Sequence, residues 1–249
     1  MIVSHNELVA AVNKAFLGMR RTCGEADVIA NMVADLQMVG LDGVRHFNNA
    51  SNFMGLEDDC PVDIQVTSDN TVEVDLHKAS LACHLPVVMD YAIEKMVGKK
   101  TLKIELNNCH NRWLAYSELV KLAAKGIACT ARWDNGSNPK STLYVLNRGC
   151  VAPELFLSDL PLASDDHIHN MTIELSVQDF DIERLSDGYQ THIESEALFK
   201  TQEKAWNEGI EVDDGEWGAL KETATAILVE NSQRSIQGAG ELEASYFVL

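Results

Sequence analysis

The chain has 249 residues, of which 46% are hydrophobic and 23% charged, and these proportions exclude a wholly disordered protein. Its formal net charge of −18 arises mostly after residue 150, because residues 1–150 carry 15 Lys and Arg against 17 Asp and Glu, whereas residues 151–249 carry 5 against 21. An acidic surface of this kind repels polyanions, so neither nucleic acid nor an anionic membrane is expected as a partner.

The beginning of the sequence, MIVSHNELVAAV, lacks the basic and apolar segments of a secretion signal. No stretch approaches the ~20 apolar residues that span a bilayer. The six cysteines are scattered without a Cys-x-x-Cys pair, a distribution that favours reduced thiols over disulfides or a zinc site. We therefore expect a cytoplasmic protein without a membrane segment.

The first 60 residues are predicted to form a helical segment. Ser4 and Glu7 have the spacing of a capping box, and apolar residues at helical spacing follow them. A second amphipathic pattern lies between residues 24 and 40, and a third helix is predicted at residues 43–55.

The remainder alternates between strand and helix patterns. After β-leaning stretches near residues 62–66 and 72–74, we predict a helix, a strand, a helix and a strand at residues 80–98, 103–106, 113–125 and 127–131. Further strands are predicted at residues 142–146, 171–177 and 244–249, and further helices at residues 186–207 and 217–228. This alternation predicts an α/β fold, a mixed sheet flanked by helices, in a single compact domain with residues 1–60 and 61–249 as its lobes.

A polar loop, Asn107-Asn108-Cys109-His110-Asn111, lies between a predicted strand and a predicted helix. In open α/β sheets, ligands bind beyond the carboxyl ends of strands, where helix N-termini offer free N–H groups. The carboxamides of this loop could orient a carbonyl or carboxylate, and His110 could exchange a proton near neutral pH. The alternative is structural, because asparagines also cap helices and form turns, and a lone histidine is usually a packing residue.

A second polar segment, Gly40-Leu41-Asp42-Gly43-Val44-Arg45-His46, follows the second predicted helix. Asp42, Arg45 and His46 lie within five residues and could bind a carboxylate substrate and deliver a proton. A glycine that ends one helix, followed by the polar first turn of the next, explains the same residues without a function.

Two other segments were considered as a metal site and as a phosphate-binding loop, and neither is predicted to be one. In Asp165-Asp166-His167-Ile168-His169, two histidines two residues apart could hold a metal with a carboxylate, but no third ligand follows at a recognised spacing. A solvated acidic loop explains this segment, and no metal site is predicted. Gly238-Ala239-Gly240 lacks the third glycine of a dinucleotide fingerprint and the lysine of a P-loop.

Two stretches carry a resemblance to a known family: VSHNELVAAVNKAFLG...ADVIANMVADLQMVGLDGVRHF and VVMDYAIEKMVGKKTLKIELNNCHNRWLAYSELVKLAAKGIACT. They resemble the N-terminal two thirds of a type-2 malate/L-lactate dehydrogenase, a family that uses NAD(P)H without a Gly-x-Gly-x-x-Gly motif. The ending, LKETATAILVENSQRSIQGAG, instead resembles that of an uncharacterised proteobacterial family of about this length, which has no assigned activity. The two resemblances are compatible if the uncharacterised family is a shortened offshoot of the dehydrogenase fold.

The dehydrogenase resemblance implies a homodimer, NAD(P) as cofactor and a set of site residues. The family's Asn-Ser-Asn-His loop is matched by Asn107, Asn108, Cys109 and His110. By this resemblance, Asn107 and Asn108 would orient the substrate. Gly136, Ser137 and Asn138, which precede Pro139, would stand for the family's Gly-Thr-Asn-Pro cofactor loop.

The second motif of that family, Gly-x-Asp-Ser-His-Gly-Val-x-Arg, carries its proposed catalytic histidine. Here Asp42-Gly43-Val44 lacks the Ser-His pair, and Arg45 and His46 lie directly after it. The resemblance would therefore make His110 or His46 the proton donor and Arg45 the residue that binds the carboxylate. We expect Arg45, His46 and His110 to surround one pocket.

Three functional hypotheses follow. The first is an oxidoreductase that uses NAD(P)H to reduce a small 2-oxo or imino acid. The second is a non-catalytic descendant of the same fold that acts as a binding or assembly module, since the Ser-His pair is missing and the acidic residues after 150 suit a basic partner protein. The third is a hydrolase or lyase that acts on an amino-acid-like metabolite without a nicotinamide.

Overall fold

The computed structural model describes residues 1–19, 21, 23–54, 62–160 and 168–226. Three helices, α1 (His5–Gly18), α2 (Cys23–Met38) and α3 (Gly43–Met54), begin the fold and confirm the predicted helical segment. The capping box of α1 is also confirmed, because the Ser4 hydroxyl accepts a hydrogen bond from the Glu7 N–H and the Glu7 carboxylate accepts one from the Ser4 N–H.

The other elements up to residue 146 are β1 (Ile2–Val3), β2 (Asp63–Ser68), β3 (Thr71–Asp75), α4 (Leu81–Lys95), β4 (Thr101–Asn107), a 3-10 turn (Arg112–Ala115), α5 (Tyr116–Ala124), β5 (Ala128–Asp134) and β6 (Ser141–Leu146). After them come β7 (Glu154–Ser158), β8 (Met171–Ser176), α6 (Ile182–Leu185), β9 (Thr191–Ile193), α7 (Ser195–Glu208), β10 (Ile210–Glu211) and α8 (Asp214–Thr225).

Within the described ranges, eight strands form one sheet in the order β2-β3-β4-β8-β5-β6-β7-β9. Only β3 and β4 pair in parallel, and the other neighbours in this sheet are antiparallel. β1 pairs separately with β10. The predicted mixed sheet flanked by helices is therefore confirmed.

The helices and the inner face of the sheet share one cluster of buried apolar side chains. It joins helical residues such as Phe16 and Phe47 to strand residues such as Ile104 and Leu175. On the opposite face, Leu143, Val145 and Phe156 form a smaller cluster that is covered by residues 180–189. The division into lobes of 1–60 and 61–249 remains a prediction.

For the later part of the chain, one prediction was partly wrong and one strand was missed. The helix predicted at residues 186–207 is confirmed only over α7, because Gly188 adopts a positive φ of 86° and residues Thr191–Ile193 pair with β7 as the strand β9. β7 itself was not predicted. The strand predicted at residues 244–249, the Gly238-Ala239-Gly240 turn and residues Asp165–His167 lie outside the described residues.

No helix in the described part of the chain is both long enough and apolar enough to cross a bilayer.

Candidate functional site

A cleft of about 400 Å³ lies where the N-terminal end of α3 faces the loop after β5. We call it the α3 cleft. Its lining residues are Gly40–Asp42, Arg45, His46, Asn49, Asn111–Trp113, Asn135–Pro139, Leu157 and Ile193. Two segments predicted separately as sites, 40–46 and 136–138, thus line one cavity.

The tight junction between α2 and α3 fixes one wall of the α3 cleft. Gly40 and Asp42 both have positive φ values, 79° and 51°, which reverse the chain after α2. Gly43 packs directly on α2, where an added Cβ would overlap the Val33 carbonyl oxygen. The side chain of Gln37 accepts a hydrogen bond from the Val44 N–H at 2.9 Å and donates one to the Glu211 carbonyl at 2.8 Å.

His46 lies on this wall and is neutral at pH 7. Burial lowers its pKa from 6.5 to about 4, although the nearby Asp42 carboxylate acts in the opposite direction. The imidazole stacks on Trp113, with ring centroids 5.8 Å apart and planes inclined by 26°. His46 is therefore held in one orientation at the cavity and can accept a proton there.

Aromatic and amide contacts connect this wall to the opposite one. Trp113 contacts Trp133 edge to face, with centroids 5.2 Å apart. The indole N–H of Trp133 donates to the Asn135 side-chain oxygen at 3.1 Å. The Asn135 amide in turn donates to the Pro139 carbonyl and the Thr142 hydroxyl at 2.9 and 3.1 Å. The loop that carries Gly136–Asn138 is thereby held in place beneath α3.

Two arginines line the α3 cleft in different settings. Arg45 is exposed and lies 3.9 Å from the Asp42 carboxylate. Arg112 is mostly enclosed, donating from Nη1 to the Cys109 carbonyl at 2.7 Å and from Nη2 to the Asp134 carbonyl at 3.0 Å. Burial lowers the pKa of Arg112. It remains a cation at neutral pH.

Asn107 and Asn108 do not line the α3 cleft. The Asn107 amide donates to the Glu73 carboxylate at 2.8 Å, and the Asn108 amide donates to the Asp75 carboxylate at 3.0 Å. Asn108 has a positive φ of 53°, which asparagine tolerates better than most residues. These contacts are those of a turn that follows β4, and the predicted substrate-orienting role of both residues remains a prediction.

His110 also lies outside this cavity. Its ring stacks on Phe53 with centroids 3.8 Å apart, and the His169 ring lies 4.5 Å away. Burial, followed by the charges of His169 and Arg112, lowers the pKa of His110 to about 4. Because Phe53 and His46 are two turns apart on α3, we place His110 about 10 Å along that helix from His46. The structure therefore brings Arg45 and His46 together but not His110.

Asn111, the last residue of the predicted polar loop, does line the cleft, but the sequence analysis did not single out Arg112 and Trp113, which line it beside Asn111. These two residues directly follow the loop, and a tryptophan beside an arginine was the available signal. Within the described ranges, no three His, Cys, Asp or Glu side chains are grouped so as to hold a metal ion, and Asp165–His167, which the sequence analysis considered beside His169, lie outside those ranges.

The chain is similar in sequence to an uncharacterised family and similar in fold to known structures. Residues 3–84 match the model of a family described as protein of unknown function (DUF3726). Among curated proteins, no sequence matches the chain. The predicted resemblance to an uncharacterised family is thus confirmed over the beginning of the chain.

Several solved structures share the fold. A dehydrogenase from Sinorhizobium meliloti aligns with a TM-score of 0.70 and 9% identity, covering 90% of this chain and 99% of the other. The malate dehydrogenase from Pyrococcus horikoshii OT3 aligns with a TM-score of 0.69 and 11% identity, covering 93% of this chain and 97% of the other. The delta1-piperideine-2-carboxylate reductase from Pseudomonas syringae pvar. tomato aligns with a TM-score of 0.64 and 11% identity, covering 90% of this chain and 99% of the other. The fold is that of malate/lactate dehydrogenase-type structures.

Proposed function

We propose that the protein is an NAD(P)-dependent oxidoreductase that interconverts a small 2-hydroxy acid and the corresponding 2-oxo acid, or reduces an imino acid, in the α3 cleft. One observation carries this proposal: Arg45 and His46 line the same cavity as Gly136–Asn138, although about 90 residues separate the two segments. Proteins of similar fold are named as malate dehydrogenase and delta1-piperideine-2-carboxylate reductase, which supports this class of substrate.

In this proposal, His46 transfers the proton. Its lowered pKa leaves the imidazole unprotonated at pH 7, ready to accept the hydroxyl proton of a 2-hydroxy acid. A bound carboxylate nearby would raise the pKa of His46, because an opposite charge favours the protonated ring. The protonated ring would then return the proton to the carbonyl oxygen in the reverse direction, while Trp113 keeps it oriented.

The residues of the α3 cleft fit a nicotinamide cofactor. Nothing lies within 4 Å of a Cβ built on Gly136, so the loop leaves open space beside the polar side chains of Ser137 and Asn138. Its volume is within the roughly 300–1,000 Å³ typical of small-molecule sites. Gly136, Ser137 and Asn138 would hold the cofactor, and NAD(P), when bound, would exchange a hydride with the substrate's C2 carbon.

Titration with NADH and NADPH tests the proposal. At 100 times its dissociation constant, a ligand stabilises the fold by about 2.7 kcal/mol, which appears as a clear rise in melting temperature. We expect this rise with at least one of the two, together with energy transfer from tryptophan to the bound nicotinamide. The absence of both effects with both cofactors would contradict the proposed function.

A pair of matched variants separates the two candidate proton donors. With an active 2-oxo acid, we expect His46→Gln to lower kcat by about 10²- to 10⁴-fold while cofactor binding persists. His110→Gln, which alters a ring stacked on Phe53 outside the cavity, should change kcat only a few-fold. A larger loss of kcat for His110→Gln than for His46→Gln would mean that the reaction does not take place in the α3 cleft.

A second candidate function is a binding or assembly module. It is favoured by a second groove of about 610 Å³, which shares Gly40 and Asp42 with the α3 cleft. This groove is bordered by α7, β10 and the start of α8, and its lining includes Glu208, Glu211, Asp213 and Asp214. This acidic border suits a basic partner protein. Salt-sensitive co-purification of one basic partner, together with no nicotinamide binding, would favour this candidate over the enzyme.

Homodimer formation is also part of the proposal, on the resemblance alone. Sedimentation velocity at micromolar concentration would give a dimer if it is correct and a monomer if it is wrong.

A further inference from the structure

Arg112 is a cation of the α3 cleft that forms no ion pair with a carboxylate of the described residues. The side chains that line this cavity include one carboxylate, Asp42, and it already lies within ion-pair distance of Arg45. Among the described residues, no carboxylate forms an ion pair with Arg112. Asp134 influences its pKa by its charge at a longer distance. Within the part of the chain that the structure describes, the charge of Arg112 is therefore not neutralised by an ion pair.

The contacts of Arg112 fix its position without using up its hydrogen-bonding capacity. A guanidinium carries five N–H donors, and here two bonds go to the main-chain carbonyls of Cys109 and Asp134. These carbonyls are neutral, so they orient the side chain but leave its charge in place. The Nε–H is enclosed, and no described residue accepts a hydrogen bond from it. A partly enclosed guanidinium with spare donors is a setting in which an anion is bound strongly.

Arg112 differs in this respect from Arg45, which the sequence singled out. The Arg45 side chain is 62% exposed and is paired with Asp42, so water and that carboxylate weaken its attraction for a ligand. Of the two arginines that line the α3 cleft, Arg112 is therefore the one whose charge is less screened by water and by a neighbouring carboxylate.

We propose that Arg112 binds the carboxylate of the ligand of the α3 cleft and sets its preference for anionic over neutral ligands, with Arg45 contributing a weaker attraction at the rim. This inference deepens the proposed function and rests on it for the identity of the ligand as a 2-oxo acid. It does not depend on a nicotinamide being bound, because both the charge and its fixing contacts belong to the chain itself.

The test uses the full chain and two probes that differ in charge, pyruvate and ethyl pyruvate, with inorganic phosphate as a third probe. Binding is measured from the fluorescence of Trp113, which adjoins Arg112, and from the melting temperature. We expect wild-type protein to bind pyruvate at least 10-fold more tightly than its ester. Arg112→Met should lose about 10- to 100-fold in pyruvate affinity, the effect of removing a charge-assisted hydrogen bond, and should no longer discriminate between acid and ester.

Arg45→Met is the matched control and should weaken pyruvate binding only a few-fold. Because Arg112→Met also removes two bonds to main-chain carbonyls, Arg112→Lys is measured beside it. It retains the charge but not the planar fork, and it should keep part of the preference for the acid. A structural defect would weaken acid and ester alike, whereas the proposal requires the ratio of the two affinities to fall.

The outcomes separate this inference from the proposed function. If Arg112→Met or Arg112→Lys keeps the wild-type preference for pyruvate, or if wild-type protein binds phosphate but neither pyruvate nor its ester, the role given to Arg112 is wrong. Binding of NADH by the wild type would leave the oxidoreductase proposal standing in either case. Pyruvate binding that depends on Arg112 without any nicotinamide binding would support the anion site and contradict the oxidoreductase.

Discussion

Gly43 stands where α3 begins against α2, and the packing there leaves no room for a side chain. A Cβ at this position would overlap the Val33 carbonyl oxygen and lie 2.7 Å from the Gln37 nitrogen, both of which are backbone atoms that cannot turn aside. We expect Gly43→Ala to lower the free energy of unfolding by about 3 kcal/mol or more. Urea denaturation measures the change.

The matched control for this substitution is Gly218→Ala. Gly218 lies inside α8, and no atom lies within 4 Å of a Cβ built there. Alanine should therefore stabilise the helix by about 0.5–1 kcal/mol. Equal effects of the two substitutions would mean that α3 can move away from α2, and that the wall of the α3 cleft is not fixed as described.

His46 makes stability depend on pH. Its pKa is about 4 in the folded protein and near 6.5 when unfolded, so below pH 6.5 the unfolded chain takes up a proton that the folded chain does not. Stability is therefore lost as the pH falls from 6.5 towards 4, by roughly 2 kcal/mol at pH 5 relative to pH 7. His46→Gln should remove most of this loss, which urea denaturation at the two pH values would measure.

An exposed histidine supplies the control for that experiment. His77→Gln, at an exposed ring that faces Asp63 and Asp75, is measured at the same two pH values. If His46→Gln changes the difference between pH 7 and pH 5 no more than His77→Gln does, His46 is not the enclosed neutral ring described here.

At the scale of single elements, α8 depends on its first residues. The Asp213 carboxylate accepts hydrogen bonds from the Gly215 and Glu216 N–H groups at 2.9 and 3.0 Å. The helix then buries Trp217 and Leu220 in the main cluster of apolar side chains. We expect Asp213→Ala to cost about 1 kcal/mol, and Asp213→Asn, which keeps an acceptor, to cost much less. Thermal unfolding of the three proteins would show equal melting temperatures if the cap contributes nothing.

The sequence predicts elements well where local chemistry decides them. The capping box at Ser4 and the helical spacing after it specify α1 without help from the rest of the chain. Residues 186–207 show the limit, because their charge pattern suits a helix, whereas pairing with β7 extends Thr191–Ile193 into a strand. That pairing is made with residues some 35 positions earlier in the chain, so the sequence of residues 191–193 alone does not reveal it.

Part of the candidate site could likewise be predicted from the sequence, and part depends on tertiary packing. Residues 40–46 and 136–138 were singled out from sequence and resemblance, but their meeting in one cavity depends on how α3 and β5 pack. Apart from the adjacent tryptophan, the sequence carries little signal for Arg112, since its two fixing contacts are to main-chain carbonyls and one of them belongs to Asp134, at the end of β5. Contacts of this kind require no particular residue type at the accepting position.

For the whole molecule, a net charge of −18 makes self-repulsion a general cost of folding. Raising the salt concentration from about 10 to 200 mM shortens the Debye length and screens that repulsion. We expect the melting temperature to rise by a few degrees, measured by differential scanning fluorimetry in NaCl and in KCl. A fall would mean that surface ion pairs such as Arg148–Asp179 outweigh the net repulsion.

The pairing of β1 with β10 joins Val3 to Ile210, positions more than 200 residues apart in the chain. Closing so long a loop is entropically costly, and the two short strands offer few hydrogen bonds in return. This small ribbon should therefore assemble after the large sheet has formed and separate before it does. Its amide hydrogens should exchange with solvent deuterium well before those in β4 and β5. The β1–β10 pair would then be the first part of the fold to open in local unfolding.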